Sequence, residues 1–180
     1  MSFALNFDRK LKQNLDKLAP EYDWETGWPA DARSKVDVAG LKAEIPRVLV
    51  EVELKKDNPV ENVVKIWRWA TAEKKTYPIL FLHAFSAHYH REVPASGRPA
   101  KVKQYERAVF VGERMTSDRT LRFDYKPLPI CSTMRRGQLV QFKPRMRRGS
   151  VTKEGGAAMH RAAKQLALTI AKLLHSKSHR

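Results

Sequence analysis

The run Val48-Leu49-Val50-Glu51-Val52-Glu53-Leu54-Lys55-Lys56 alternates apolar and charged residues with a period of two. Side chains alternate faces along a strand, so Val50, Val52 and Leu54 are expected to point one way and Glu51, Glu53 and Lys55 the other. Any half-buried strand shows this pattern, and taken alone the charged row reads as solvated surface. Its neighbours in the chain say more. Arg33 to Gly40 reads as a preceding strand ending at a glycine, which lets Asp37 pair across to the acid row. After Lys55, Asn58 is placed as a helix N-cap, Pro59 as the first helical residue and Glu61 as the closing member of a capping box. An acidic strand therefore runs straight into a well-marked helix.

The other segments follow from periodicity and breakers. Phe3 to Ala19 reads as an amphipathic helix with Phe3, Leu5, Leu11, Leu15 and Leu18 on its apolar side, stopped by Pro20. Gly27 and Pro29 mark the next stretch, with Trp24 and Trp28, as loop. Strands at about 34–41 and 47–55 form an antiparallel hairpin through Lys42 to Pro46. The helix from Pro59 to about Lys74 carries Val60, Val63, Val64, Trp67 and Ala70 on one stripe, which predicts Trp67 as core. Tyr77 to Phe85 is a continuous apolar run suited to a strand covered on both faces, parallel to the acidic strand because a helix separates the two. A helix over Ala100 to Met115 follows, then a strand through Leu121, Phe123 and Tyr125 that Pro127 and Pro129 end. Gly155-Gly156 introduces a last helix reaching about Leu174, with Met159, Ala163, Leu166, Ile170 and Leu173 as its seam. At 180 residues this reads as one domain, 1–180, an α/β fold with a central mixed sheet flanked by helices.

Asp37 followed by Glu53-Leu54-Lys55 on the next strand, then a helix and a further strand, resembles the PD-(D/E)XK nuclease superfamily, with its restriction-endonuclease-like fold. The likeness covers residues 33–86, and Val36 stands where the name of the motif has Pro. The resemblance implies a metal-dependent endodeoxyribonuclease. Asp37, Glu53 and the carbonyl of Leu54 would hold Mg2+ or Mn2+, and Lys55 would serve the attacking water by stabilising it, orienting it or taking its proton. The chemistry asks for such residues: a phosphodiester repels nucleophiles, and a hard cation on carboxylate oxygens neutralises that charge and acidifies water bound to it. Oxygen-only ligation favours magnesium or manganese over zinc. Glu51 lies on the same face, ranked below Glu53, as an aid to a second metal or to coordinated water. Many members add a glutamate from the helix before the first strand; Glu21 and Glu25 are the nearest acids here, and surface acid is the simpler reading of both.

Net charge is +16, and its distribution matters more than its size. Residues 125–180 hold 13 Lys and Arg against one acid, Glu154. That asymmetry points to a polyanion partner, since cations that displace counterions from phosphates bind in a salt-sensitive way. Arg135, Arg136, Arg145, Arg147 and Arg148 cluster among glycines and Pro144 around a short strand-like segment, a set suited to a duplex backbone or groove, with a disordered basic loop as the alternative. Lys65, off the apolar stripe of its helix, is a further phosphate contact. DNA, double-stranded, is the expected partner, with a homodimer allowed by the resemblance and neither a membrane nor a small-molecule cofactor called for.

His83, His88 and His90 invite a metal hypothesis, but no histidine or cysteine pair elsewhere has zinc spacing; His83 reads as a packed strand residue and the others as loop. One cysteine, Cys131, precludes an intrachain disulfide framework. No signal-peptide pattern opens the chain and no apolar run is long enough to cross a bilayer, so the expected location is cytoplasmic. Two rivals keep the basic charge without the cutting: a non-catalytic DNA- or RNA-binding protein of the same fold, acting as a subunit of a defence, recombination or transposition complex, and a structural RNA-binding protein in which Glu51, Glu53 and Lys55 are plain surface.

Overall fold

The computed structural model describes residues 3–30, 32, 34–54, 58–73, 77–89, 100–135, 138–143, 146–147, 150–151 and 153–178, for some of them by the backbone alone. Among these, five strands form one sheet in the order β1-β2-β3-β4-β5: Asp23–Pro29, Lys35–Lys42, Ile45–Glu53, Ile79–Phe85 and Phe123–Pro129. β1, β2 and β3 are antiparallel, whereas β4 and β5 continue parallel to β3. The mixed sheet and the parallel placement of the apolar run 79–85 agree with the sequence reading. β4 is buried at every position, as a central strand with helices on both sides must be.

Helices cover both faces. Helices α1 (Phe3–Leu18) and α4 (Lys153–Ser178) lie over Val38, Val48, Val50, Leu80 and Leu82. Helices α2 (Val60–Ala72) and α3 (Ala100–Thr116) lie over Leu49, Ile79, Phe81, Phe85 and Tyr125. Two short hairpins, β6 with β7 (Cys131–Arg135, Gln138–Gln141) and β8 with β9 (Met146–Arg147, Ser150–Val151), follow the sheet.

Several expectations need correction. The stretch with Trp24 and Trp28 is β1, not loop; Gly27 takes φ +64° within it, and Trp24 packs across the strand onto Gly40, close enough that a Cβ there would strike the indole. The β2–β3 hairpin turns in two residues, Ala43 and Glu44, both at positive φ as a type I′ turn requires. In α1, Phe7 joins Phe3, Leu11 and Leu15 in the core while Leu5 is 56 % exposed. Pro127 and Pro129 lie inside β5, an edge strand on whose outer side a proline breaks no ladder bond. Gly155 and Gly156 lie within α4 rather than before it.

The main difference is the rotation of α2. Its buried residues are Asn62, Val63, Ile66, Trp69 and Ala70, while Val64 is exposed and Trp67 half-buried, its Nε1–H donating to Asp118 Oδ2 at 3.1 Å. Trp69, not Trp67, is the core tryptophan, edge-on to Trp28 with ring centroids 5.3 Å apart. The reason lies beneath the helix, where a row of acids needs polar partners.

Candidate functional site: an acidic corner between β2 and β3

β2 and β3 pair as far as Val38 opposite Val50, and there they part. The first residues of β2 stay with β1, Val36 opposite Trp28 and Lys35 opposite Pro29. In place of a ladder bond, the Val52 amide donates to Asp37 Oδ2 at 2.8 Å. The two strands therefore open into a fork, with Asp37 on one prong and Glu51 and Glu53 on the other.

Both glutamates face α2, and neither is solvated: Glu51 is 1 % exposed and Glu53 0 %. The alternative reading of plain solvated surface is thus set aside for Glu51 and Glu53 by the helix that covers them. Lys65 of α2 places Nζ 2.7 Å from Glu51 Oε1 and donates to the Lys35 carbonyl at 2.6 Å. Burial, and secondarily the charge of Asp37, pushes the Glu51 carboxyl well above its usual pKa, and Lys65 opposes that rise. Glu53 Oε1 accepts from Asn62 Nδ2 at 2.6 Å and meets His83 Nε2 at 3.0 Å. His83 Nδ1 in turn lies 3.2 Å from the Tyr125 hydroxyl. Burial keeps the imidazole neutral and the phenol protonated. The hydrogen-bond roles then follow: Tyr125 O–H donates to Nδ1, and the Nε2–H tautomer donates to Glu53. The expected packed strand position of His83 is observed, and to it is added a polar chain crossing β3, β4 and β5.

Asp8 completes the corner from the other face of the sheet, where α1 holds it 6 % exposed. Burial first, then the charge of Asp37, raises its carboxyl to about 8. Asp8 is not among the acids that stand out in the sequence, and Glu25, which does, is exposed on β1. The available signal was an acid at position 8 between Phe7 and Leu11 on the apolar stripe. Asn62 and His83 were legible in the same way, as polar residues within otherwise apolar faces.

The Leu54 carbonyl accepts from Ser86 Oγ at 2.7 Å, which fixes the backbone just past Glu53. Beside the fork, an open cleft of about 520 Å³ is lined by Lys35, Lys65 and Arg68 with Ser34, Asn58 and Asn62. Lys55, Arg136, Arg145, Arg148 and His90 lie outside the described residues, and Arg135 and Arg147 are described by backbone alone, in β6 and β8. His88 lies half-buried in the 3-10 turn after β4.

Among the described residues, no three Asp, Glu, His or Cys side chains stand together as a ready coordination shell. The donor chemistry nonetheless fits a hard divalent cation: Asp37, Glu53 and the Leu54 carbonyl offer oxygen alone; burial, and after it the charge of Asp37, raises Asp8 and Glu51 beside them. No helix among the described residues is long and apolar enough to cross a membrane. Comparison with known protein families, with curated proteins and with solved structures finds no match.

Proposed function

We propose that this protein is a metal-dependent endodeoxyribonuclease of the PD-(D/E)XK kind, acting at the β2–β3 fork. The observation that carries the reading is Asp37 leaving the β2–β3 ladder where Glu51 and Glu53 line the facing strand, with α2 following directly. When bound, Mg2+ or Mn2+ supplies positive charge against the phosphodiester and acidifies water at the site. Asp37, Glu53 and the Leu54 carbonyl hold it. Asn62 and His83 fix Glu53 through Oε1, as ligand carboxylates are commonly fixed by their own hydrogen-bond partners. Lys65 pairs with Glu51, and Lys35 and Arg68, against the one acid Glu61, give the cleft beside the fork a positive lining for the phosphate backbone. Lys55, two residues beyond Glu53, serves the nucleophile; the basic region from Arg135 to Arg148 holds DNA.

A second reading, a DNA- or RNA-binding protein that cuts nothing, is favoured by one observation: Glu53 is buried and already engaged by Asn62 and His83. Supercoiled plasmid separates the two. With Mg2+ or Mn2+ the wild type is expected to nick it, with chelator to leave it intact, and Asp37→Asn or Lys55→Ala to lose roughly a hundredfold or more in rate. Retained binding without cleavage in any metal establishes the second reading, and nicking that survives Lys55→Ala places the chemistry elsewhere.

A further inference from the structure

At the other end of the sheet, where β2 turns into β3 and where β4 and β5 begin, lies a second open cleft of about 610 Å³. Its floor is apolar, made by Val48, Ile79 and Phe123, and three cations, Lys42, Arg47 and Arg122, stand around it. Lys42 Nζ lies 4.4 Å from the centroid of the Tyr22 ring, and the Arg47 guanidinium 5.1 Å from that of Tyr77. Aromatic faces hold these cations in place without cancelling their charge. Among the described residues none of the three makes an ion pair, and Asp124, the one acid lining the cleft, has Lys126 at 3.8 Å.

We infer that this cleft binds an unpaired nucleotide of a single-stranded nucleic acid. Three cations against one acid on the rim select phosphates; an apolar floor that includes Phe123 selects the flat face of a base. The volume falls within the range of small-molecule sites, roughly 300–1,000 Å³. In a duplex the bases are stacked and paired, and only a phosphate backbone reaches a concave wall; an unpaired base enters and covers the floor. The cleft is separate from the acidic corner. Arg47 precedes Glu53 by six positions on one strand, about 20 Å at roughly 3.3 Å per residue. The inference therefore stands whether or not the fork cuts.

The test is fluorescence anisotropy with a labelled oligothymidylate and, in parallel, a labelled duplex, both in chelator so that cleavage plays no part. The variant is Arg47→Gln with Arg122→Gln. The control removes the same formal charge from α1, as Lys10→Gln with Lys12→Gln; neither lysine lines the cleft, and Lys12 pairs with Asp16. Single-strand affinity is expected to fall about tenfold or more in the cleft variant, with a salt slope shallower by about two, and by less than about threefold in the control. Duplex affinity should change alike in both. Equal single-strand losses in cleft variant and control, or a duplex loss as large as the single-strand loss, overturn the inference. Should the double variant melt early, Arg122→Gln alone, at an exposed position, carries the same comparison with a single-lysine control.

Discussion

Asp8 keeps its proton in the folded chain over a range where the unfolded chain has lost it, because its folded pKa is about 8 against an ordinary 3.8. Unfolding then releases a proton between about pH 4 and pH 8, so stability falls as pH rises through that window. Asp8→Asn keeps the shape and removes the titration. Relative to wild type, urea unfolding in chelator should show little difference near pH 4 and a gain growing to roughly 1–3 kcal/mol near pH 8. A difference independent of pH would mean that Asp8 is not buried beside Asp37. At this scale the sequence was partly readable. Asp37, Glu51, Glu53 and Lys55 stand out by spacing, and β3 does carry both glutamates on one face. Their burial was not readable, because alternation reports which residues share a face and says nothing of what covers it. Asp8 hid for the opposite reason: in Asp8-Arg9-Lys10 it looks like one of many surface charges, and only its place on the apolar stripe of α1 sets it apart.

Elements were legible where the apolar pattern alone set their position. The fully buried β4 and the parallel β3–β4 pairing follow from a continuous apolar run and an intervening helix that admit few alternatives. The rotation of α2 did not follow, because its orientation satisfies Glu51 and Glu53 as well as burying aliphatics; Asn62 and Lys65 turn inward and carry Trp67 partly out. β1 was missed because Gly27 and Pro29 are breakers in an isolated segment and tolerable at the edge of a sheet. One contact between elements gives a sharp test. Gly112 of α3 lies so close against the Tyr125 ring that a Cβ could not be added without moving the ring, and Tyr125 anchors the chain through His83 to Glu53. Gly112→Ala should cost about 1–3 kcal/mol by overpacking. Tyr125→Phe, which removes one hydrogen bond and keeps the ring, should cost roughly 1 kcal/mol. Urea denaturation of the pair decides it: a neutral Gly112→Ala would show that α3 does not press on β5 at that point.

For the whole molecule, the described arrangement is a three-layer α/β sandwich with acids at one end of the sheet and a basic, apolar-floored cleft at the other. A charge of +16 suits a polyanion partner at either end. Charge reports binding; cleavage depends on whether the carboxylates of β2 and β3 accept a cation between them. Asp8 and Glu51 are raised first by burial and then by the charge of Asp37, and an added cation would act on the second of these causes. Calorimetric titration of Mn2+ into the metal-free protein near pH 8 reads this without any substrate. The account predicts saturable binding in the wild type, weakened about tenfold or more by Asp37→Asn and by Glu53→Gln, while variants of the distant cleft bind as wild type does. Absence of Mn2+ binding, or binding unchanged by both substitutions, would contradict it.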